Sequence, residues 1–326
     1  MRAAITLISA AALAVAVVLS ILVGSVWMSP RDILHGLTTP GPDLASLIVL
    51  DLRAPRTLLG LLVGATLGLS GAVLQGLLRN PLADPGLLGV SSGAAFGAVA
   101  AIYYGLASHF FFAAPLLGMV GALAAAGLTY AFGRGGTLSM ILAGAAVSGL
   151  GGAGVSLALN FAPINAAYEI MTWLQGSITD KTWDHVKLAL PLIPLGWTAL
   201  GFTGRGLDAL ALGEVQAASL GVSLNRLRLV ALIGVALSVG AATAAAGAIG
   251  FVGLVAPHLV RPFVGHQPRR TLLPSALFGA ALVLLADVAS RLLRYNGEEI
   301  KLGVLTSLVG TPFFFWLVLR LRRTAP

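Results

Sequence analysis

Apolar residues fill this chain in long runs, and polar residues gather in the short breaks between them. From break to break, the runs cover roughly 4–28, 57–77, 87–107, 112–132, 138–162, 188–203, 226–248, 251–264, 271–293 and 303–320. Most approach the ~20 residues a helix needs to cross a bilayer. The eighth is short and is interrupted by Pro257 and Pro262. Broken segments of this kind occur where a helix packs inside protein or lines a cavity. The pattern predicts an all-α membrane protein, a polytopic bundle of about ten transmembrane helices in one domain over 1–326. Its longest polar interruption between late spans lies at about 204–225.

Composition agrees. Of 326 residues, 57% are hydrophobic and only 10% are charged, against about 25% charged in soluble domains. Ten spans consume roughly 200 residues, which leaves short loops and no sizeable soluble domain. The first run, from about Ile5 to Met28, is too long for the apolar core of a signal peptide and reads as a retained span. The chain has no cysteine, which excludes disulfides, thiolate metal sites and cysteine catalysis.

The net charge of +8 carries topology rather than nucleic-acid binding, because no basic run is interleaved with aromatics in a soluble segment. With the N-terminus in the cytoplasm, twelve of the twenty Lys and Arg fall on cytoplasmic segments: Arg2, Arg79, Arg134, Arg205, Arg226, Arg228, Arg261, Arg269, Arg270, Arg320, Arg322 and Arg323. The opposite side holds eight basic residues offset by eight acids. An even number of spans with both termini inside follows.

Two further patterns bear on how the bundle works. At an offset of 170, Arg56, Leu59, Gly64, Leu67 and Ala72 match Arg226, Leu229, Gly234, Leu237 and Ala242. The two copies would run in opposite directions, an inverted repeat of the sort found in transporters; chance matching of small and aliphatic residues is the alternative. Glycine totals 41, much of it inside spans. Small residues let helices approach closely in lipid, and such a bundle can also surround a path and shift between packings.

Catalytic chemistry finds little support. None of the three lysines follows a Gly-x-x-x-x-Gly run, so there is no Walker A loop. His35, His109, His185, His258 and His266 are not paired at helical spacing, so no metal site is expected. Asp287 is the one acid well inside a span. A charge there is a functional candidate, but Arg291 lies four residues on along the same helical face, and a local ion pair explains it. An ion-coupled secondary transporter and an intramembrane enzyme are the alternatives from other classes; the near absence of intramembrane acids disfavours the first, and the second lacks a nucleophile–base pair.

Two segments stand out. "RNPLADPGLLGVSSGAAFG" (79–97) reads as a cytoplasmic turn closed by Asn80 and Asp84, followed by Gly89, Gly93 and Gly97 as a small-residue face, with Ser91 and Ser92 satisfying backbone or lining a path. "LDALALGEVQAASLGVSLNRLR" (207–228) reads either as a helix lying on the bilayer surface or as a short helix pair projecting towards a cytoplasmic partner. Within it, Glu214, Ala217, Ala218 and Gly221 form a pattern that resembles the "EAA" loop of ABC importer permeases.

Three longer stretches, 53–97, 247–291 and 302–319, resemble the signatures of the FecCD family in the same order. That family supplies membrane subunits of importers for ferric siderophores, haem and vitamin B12. The resemblance implies a vitamin B12-importer-like permease fold in the bacterial inner membrane, built as a homodimer with a second copy of the chain. It implies two ATP-binding cassette subunits below, with ATP and Mg bound there and no cofactor or metal on this chain. A periplasmic substrate-binding protein would deliver substrate above. Glu214, Ala217, Ala218 and Gly221 would couple to the ATPase. Arg53, Arg56, Arg291 and Arg294 would meet acidic residues of the binding protein; arginines snorkelling to headgroups are the alternative. Gly89, Ser91, Ser92, Gly93 and Gly97 would serve helix packing or the path. His258 and His266 would cap helix ends or touch the ATPase, and 178–186 would join the binding-protein footprint. The expected cargo is an iron chelate, with vitamin B12 as the alternative.

Overall fold

The computed structural model describes residues 2–24, 26–38, 41, 43–295 and 297–324, and in it every apolar run contributes a helix. In chain order these are α1 (Arg2–Leu22), α2 (Ala54–Leu77), α3 (Val90–Tyr103), α4 (Ala113–Phe132), α5 (Thr137–Phe161), α6 (Leu192–Phe202), α7 (Leu224–Ala246), α8 (Val252–Val260), α9 (Pro268–Leu292) and α10 (Leu302–Thr324). Six of the ten helices are long and apolar enough to cross a bilayer alone, and α6 qualifies with its bent neighbours Trp183–Ala189 and Gly204–Leu210. The side chains of Arg2, Arg320, Arg322 and Arg323, used in the charge count, lie outside the described residues.

Helices α2 and α7 form the centre, buried along most of their length. Glycine is what lets neighbours reach them. A Cβ on Gly64 would come within 2.5 Å of the Gly279 carbonyl, and one on Gly279 within 2.5 Å of the Gly64 carbonyl. Backbone therefore meets backbone between α2 and α9, giving the dispersion contact that drives association in lipid. α4 packs along α7 as α9 packs along α2. Helices α3 and α8, which follow α2 and α7, each start from a left-handed residue, Gly89 at φ 78° and Phe251 at φ 66°. Gly89 and Phe251 are 162 residues apart (251 minus 89), so this pair does not fall on the 170-residue offset of the sequence repeat.

The structure departs from the expected spans at several places, including 188–203, where a turn at 190–191 separates Trp183–Ala189 from α6. The run 87–107 is not one helix: a 3₁₀ turn, Pro85–Leu88, stops at Gly89 before α3 begins. Gly89 consequently leaves the face shared by Gly93 and Gly97. It packs on Val147 and Gly144 of α5, whereas Gly93 packs on Gly121 and Ala125 of α4 and Gly97 on Leu117. Ahead of α2, residues Leu47–Arg53 form a π-helix, a wide turn found often at functional sites. The first run ends as helix at Leu22, and Trp27 beyond it is exposed. A further amphipathic helix, Ile164–Leu174, follows α5.

Candidate functional site: two charged clusters at opposite ends of the bundle

The π-turn aims Arg53 inward. Its guanidinium is buried and donates to the carbonyls of Leu22 at 2.8 Å and of Ile21 and Val26, each at 2.5 Å. From α9, Arg291 donates to the carbonyls of Ser20 at 2.7 Å and Val23 at 2.8 Å. Two cations thus satisfy carbonyls at and just beyond the C-terminal end of α1, where the last turn lacks intrahelical donors and the helix dipole is negative.

Asp287 lies beside them and is 1% exposed. It pairs with Arg291 one turn along, as the spacing predicts, and also with Arg56 of α2, whose Nη2 is 2.7 Å from Oδ1 and whose Nε is 3.0 Å from it. Arg56 Nη2 donates further to Glu299 at 2.7 Å. Glu299 sits on a two-stranded hairpin (β1 Arg294–Tyr295, β2 Glu298–Glu299) and accepts from Arg294 at 2.8 Å and from Thr179 Oγ1 at 3.1 Å. Burial alone would raise the Glu299 carboxyl, but the bonds from Arg56, Thr179 and Arg294 outweigh it and hold it below the ordinary range. A cavity of about 450 Å³, lined by Arg53, Arg56, Lys181, Arg291, Arg294 and Glu299 among others, opens at this end.

The four expected docking arginines are therefore brought together, and all four bond within the chain, Arg294 to Glu299 and to the Arg291 carbonyl. Arg53 and Arg291 cap α1, Arg56 bridges Asp287 and Glu299, and Arg294 is the one whose side chain keeps a third of its surface exposed. In 178–186, Ile178 and Val186 are buried, while Trp183 donates through Nε1 to the Leu50 carbonyl at 2.9 Å.

At the other end, 204–225 folds as two short helices, Gly204–Leu210 and Glu214–Ser219. The segment is therefore two short helices and not one continuous helix. Leu207, Leu210 and Ala217 are buried beneath it, whereas Leu212, Val215 and Leu220 are 65–75% exposed. Glu214 pins the pair to the bundle. Its Oε1 accepts from Thr137 Oγ1 at the start of α5 and from Arg228 Nη2 in the first turn of α7, both at 2.9 Å. Those contacts, the Thr137 bond first, hold its carboxyl below the ordinary range. Gly221, at φ 82°, ends the second helix in the left-handed region that favours glycine, and Ala218 is exposed beside it. Asp208, unremarked in the sequence, accepts from Gln267 Nε2 at 2.8 Å and from the Arg269 N–H at 2.9 Å, tying the first helix to the start of α9.

The 79–97 turn lies beside this end. Arg79 adopts φ 49° and is exposed; Asn80 accepts from the Leu82 N–H at 2.9 Å and Asp84 from the Gly86 N–H at 2.8 Å. Thr129 of α4 and Ser148 of α5 each donate at 2.9 Å to carbonyls of the 3₁₀ turn. Ser91 and Ser92 are half-buried, with the Ser92 carbonyl against Gly151. His258 stacks edge-on to Phe313 at 5.7 Å, and His266 is exposed at φ 60°.

Comparison with known proteins matches the sequence pattern of the FecCD transport family over residues 12–320. The chain is 42% identical over 284 residues to the cobalamin import system permease BtuC of Halobacterium salinarum, covering 85% of this chain and 74% of that one. It is 40% identical over 312 residues to the vitamin B12 import system permease BtuC of Escherichia coli, covering 94% and 92%. An uncharacterised ABC transporter permease of Bacillus subtilis, YvrB, is 41% identical over 283 residues, covering 85% and 80%. A solved transporter assigned to the metal-chelate ABC type, captured inward-facing, superposes with a TM-score of 0.86 at 32% identity, covering 97% of this chain and 99% of that one.

Proposed function

Because the chain belongs to the FecCD transport family, we propose that it carries a bulky metal chelate inward across the bacterial inner membrane, with cobalamin as the cargo its relatives favour. It is the membrane-spanning permease subunit of an ABC importer and leaves ATP hydrolysis to partner ATPases. Two copies enclose the path, two ATPase subunits bind at the clasped helix pair, and a periplasmic binding protein delivers the chelate at the hairpin end. Both termini face the cytoplasm. The chain holds no cofactor or metal of its own.

The observation that carries this reading is the helix pair at 204–225. Its underside is fixed to α5, α7 and α9 by Glu214 and Asp208, and its outer side offers Leu212, Val215 and Leu220 to solvent. Exposed apolar groups on a braced support suit a docking contact that must transmit motion. Glu214, Ala217, Ala218 and Gly221 are the coupling residues in this reading. ATP-driven closure of the partners shifts the bundle between packings, with the 79–97 turn, through Gly89, Ser91, Ser92, Gly93 and Gly97, as a place where α3 changes its seat on α4 and α5. At the far end, Arg294, paired with Glu299 but a third exposed, is the arginine with surface left for a partner's carboxylate; Arg53, Arg56 and Arg291 hold the surface that presents it.

The substrate is tested by uptake into vesicles carrying the complete transporter and its binding protein. Labelled cobalamin should enter, and neither a ferric siderophore nor haem should compete. Uptake of a ferric chelate without cobalamin would return the cargo to the iron class expected from sequence.

A further inference from the structure

We infer that the groove between α6, α7 and the helix pair is a binding site for one anionic phospholipid of the adjacent leaflet. The groove encloses about 480 Å³ and is lined by Phe202, Gly206, Gly221, Arg226, Leu227 and Val230 among others. That volume lies within the range of small-molecule sites. Its floor is apolar or small, and Phe202 stands 79% exposed beside it. The exposed stripe of α6 runs through Leu195 and Thr198 to Phe202, while Leu229 and Ile233 are the exposed positions that follow Arg226 on α7. Membrane-facing surface therefore leads straight into the groove.

Its rim has the opposite character. Arg226 lines the mouth, and Arg205 lies next to the lining Gly206 in the helix Gly204–Leu210, which follows α6 after a 40° bend. Both are exposed, and among the described residues neither guanidinium has an ion-pair or hydrogen-bond partner. The neighbouring charges are committed elsewhere: Arg228 is paired with Glu214, and Asp208 is held by Gln267 and the Arg269 N–H. Two uncompensated cations above an apolar slot match a phosphate headgroup above its acyl chain. Each basic residue at an anionic surface is worth roughly a five-fold preference, so two give about 25-fold. Gly206 packs against Leu227, while nothing lies within 4 Å of the Cβ position of Gly221; Gly221 ends the helix pair itself, so the lipid would brace that pair. The inference stands whatever the cargo is.

The test places the complete transporter in nanodiscs of phosphatidylglycerol and phosphatidylethanolamine in equal parts, either lipid carrying a photoreactive acyl chain. Crosslinked peptides are then mapped. Phosphatidylglycerol should label the peptides holding Phe202 and Val230 at least five-fold more than phosphatidylethanolamine. Arg205→Gln with Arg226→Gln should abolish that preference, and Val230→Trp, which fills the slot and keeps both charges, should remove the labelling. Equal labelling by the two lipids, or a preference untouched by the double substitution, would overturn the proposal. So would crosslinking of Phe202 to the ATPase subunit in place of lipid.

Discussion

Substituting Asp287 by Asn should be among the most damaging single changes at the hairpin end. The side chain keeps its shape and loses its charge, so two guanidiniums lose a counter-ion where water is scarce: Arg291 is 3% and Arg56 12% exposed. Breaking a buried pair by removing one partner costs about 3–5 kcal/mol. The lower end applies, because Arg56 keeps Glu299 and Arg291 keeps the Ser20 and Val23 carbonyls. About 3 kcal/mol is the expected loss, read by denaturant titration in bicelles. Glu299→Gln should cost less, about 1–2 kcal/mol, because Arg56 keeps Asp287 and the Arg294 pair is a third exposed and screened. Adding Arg291→Gln to Asp287→Asn removes the uncompensated cation but strips α1 of a cap, so the two losses should fall short of additive by about 1–2 kcal/mol. Asp287→Asn within about 0.5 kcal/mol of the parent, a change typical of surface sites, would refute the argument that this carboxylate neutralises two buried arginines.

Other predictions follow from the packing and the clasp. Gly64→Ala forces a methyl to within 2.5 Å of the Gly279 carbonyl and should cost about 1–3 kcal/mol, whereas Gly127→Ala, with nothing within 4 Å, should be neutral or slightly stabilising; unfolding of both variants in the same detergent checks the contrast. Gly221→Pro cannot reach φ 82°, and Glu214→Arg sets a cation beside Arg228; both should abolish ATP-driven transport while the dimer still assembles, and normal transport in either would remove that residue from the coupling role. The Glu214 carboxyl lies below its ordinary value of 4.5, so its clasp is fully present above that value and lost as pH falls through the lower folded value. With no native cysteine in the chain, a fluorophore on Val215→Cys should show constant anisotropy from neutral pH to about pH 5 and loosen only below it. Glu214→Gln should be loose throughout.

How far the sequence alone reached depended on the range of each interaction. Spans were legible because apolar runs are local, and so was the Asp287–Arg291 pair, four residues apart. Pro257 and Pro262 announced the short eighth helix for the same reason. Arg56 was readable as an outer arginine but not as a partner of Asp287, 231 residues away, because nothing in either neighbourhood encodes the crossing of α2 and α9. The π-turn at Leu47–Arg53 likewise turned Arg53 from an outward charge into a cap on α1. At 79–97 the glycine period of four suggested a single face, but the left-handed Gly89 rotates out of it. A leucine at 212, a valine at 215 and a leucine at 220 looked no different from core residues, and only the fold shows them standing exposed. Asp208 carried one signal that could have found it: an acid in an otherwise weakly polar segment, with Gln267 and Arg269 awaiting an acceptor at the start of a proline-led helix.

The central claim is that this chain moves its cargo only when partner ATPases drive it. Purified chain in liposomes, with its ATPase and binding protein, should take up labelled cobalamin when ATP is present, and uptake should vanish when ATP, either partner or the Glu214 clasp is removed. Uptake by the chain alone under a proton gradient would contradict the account.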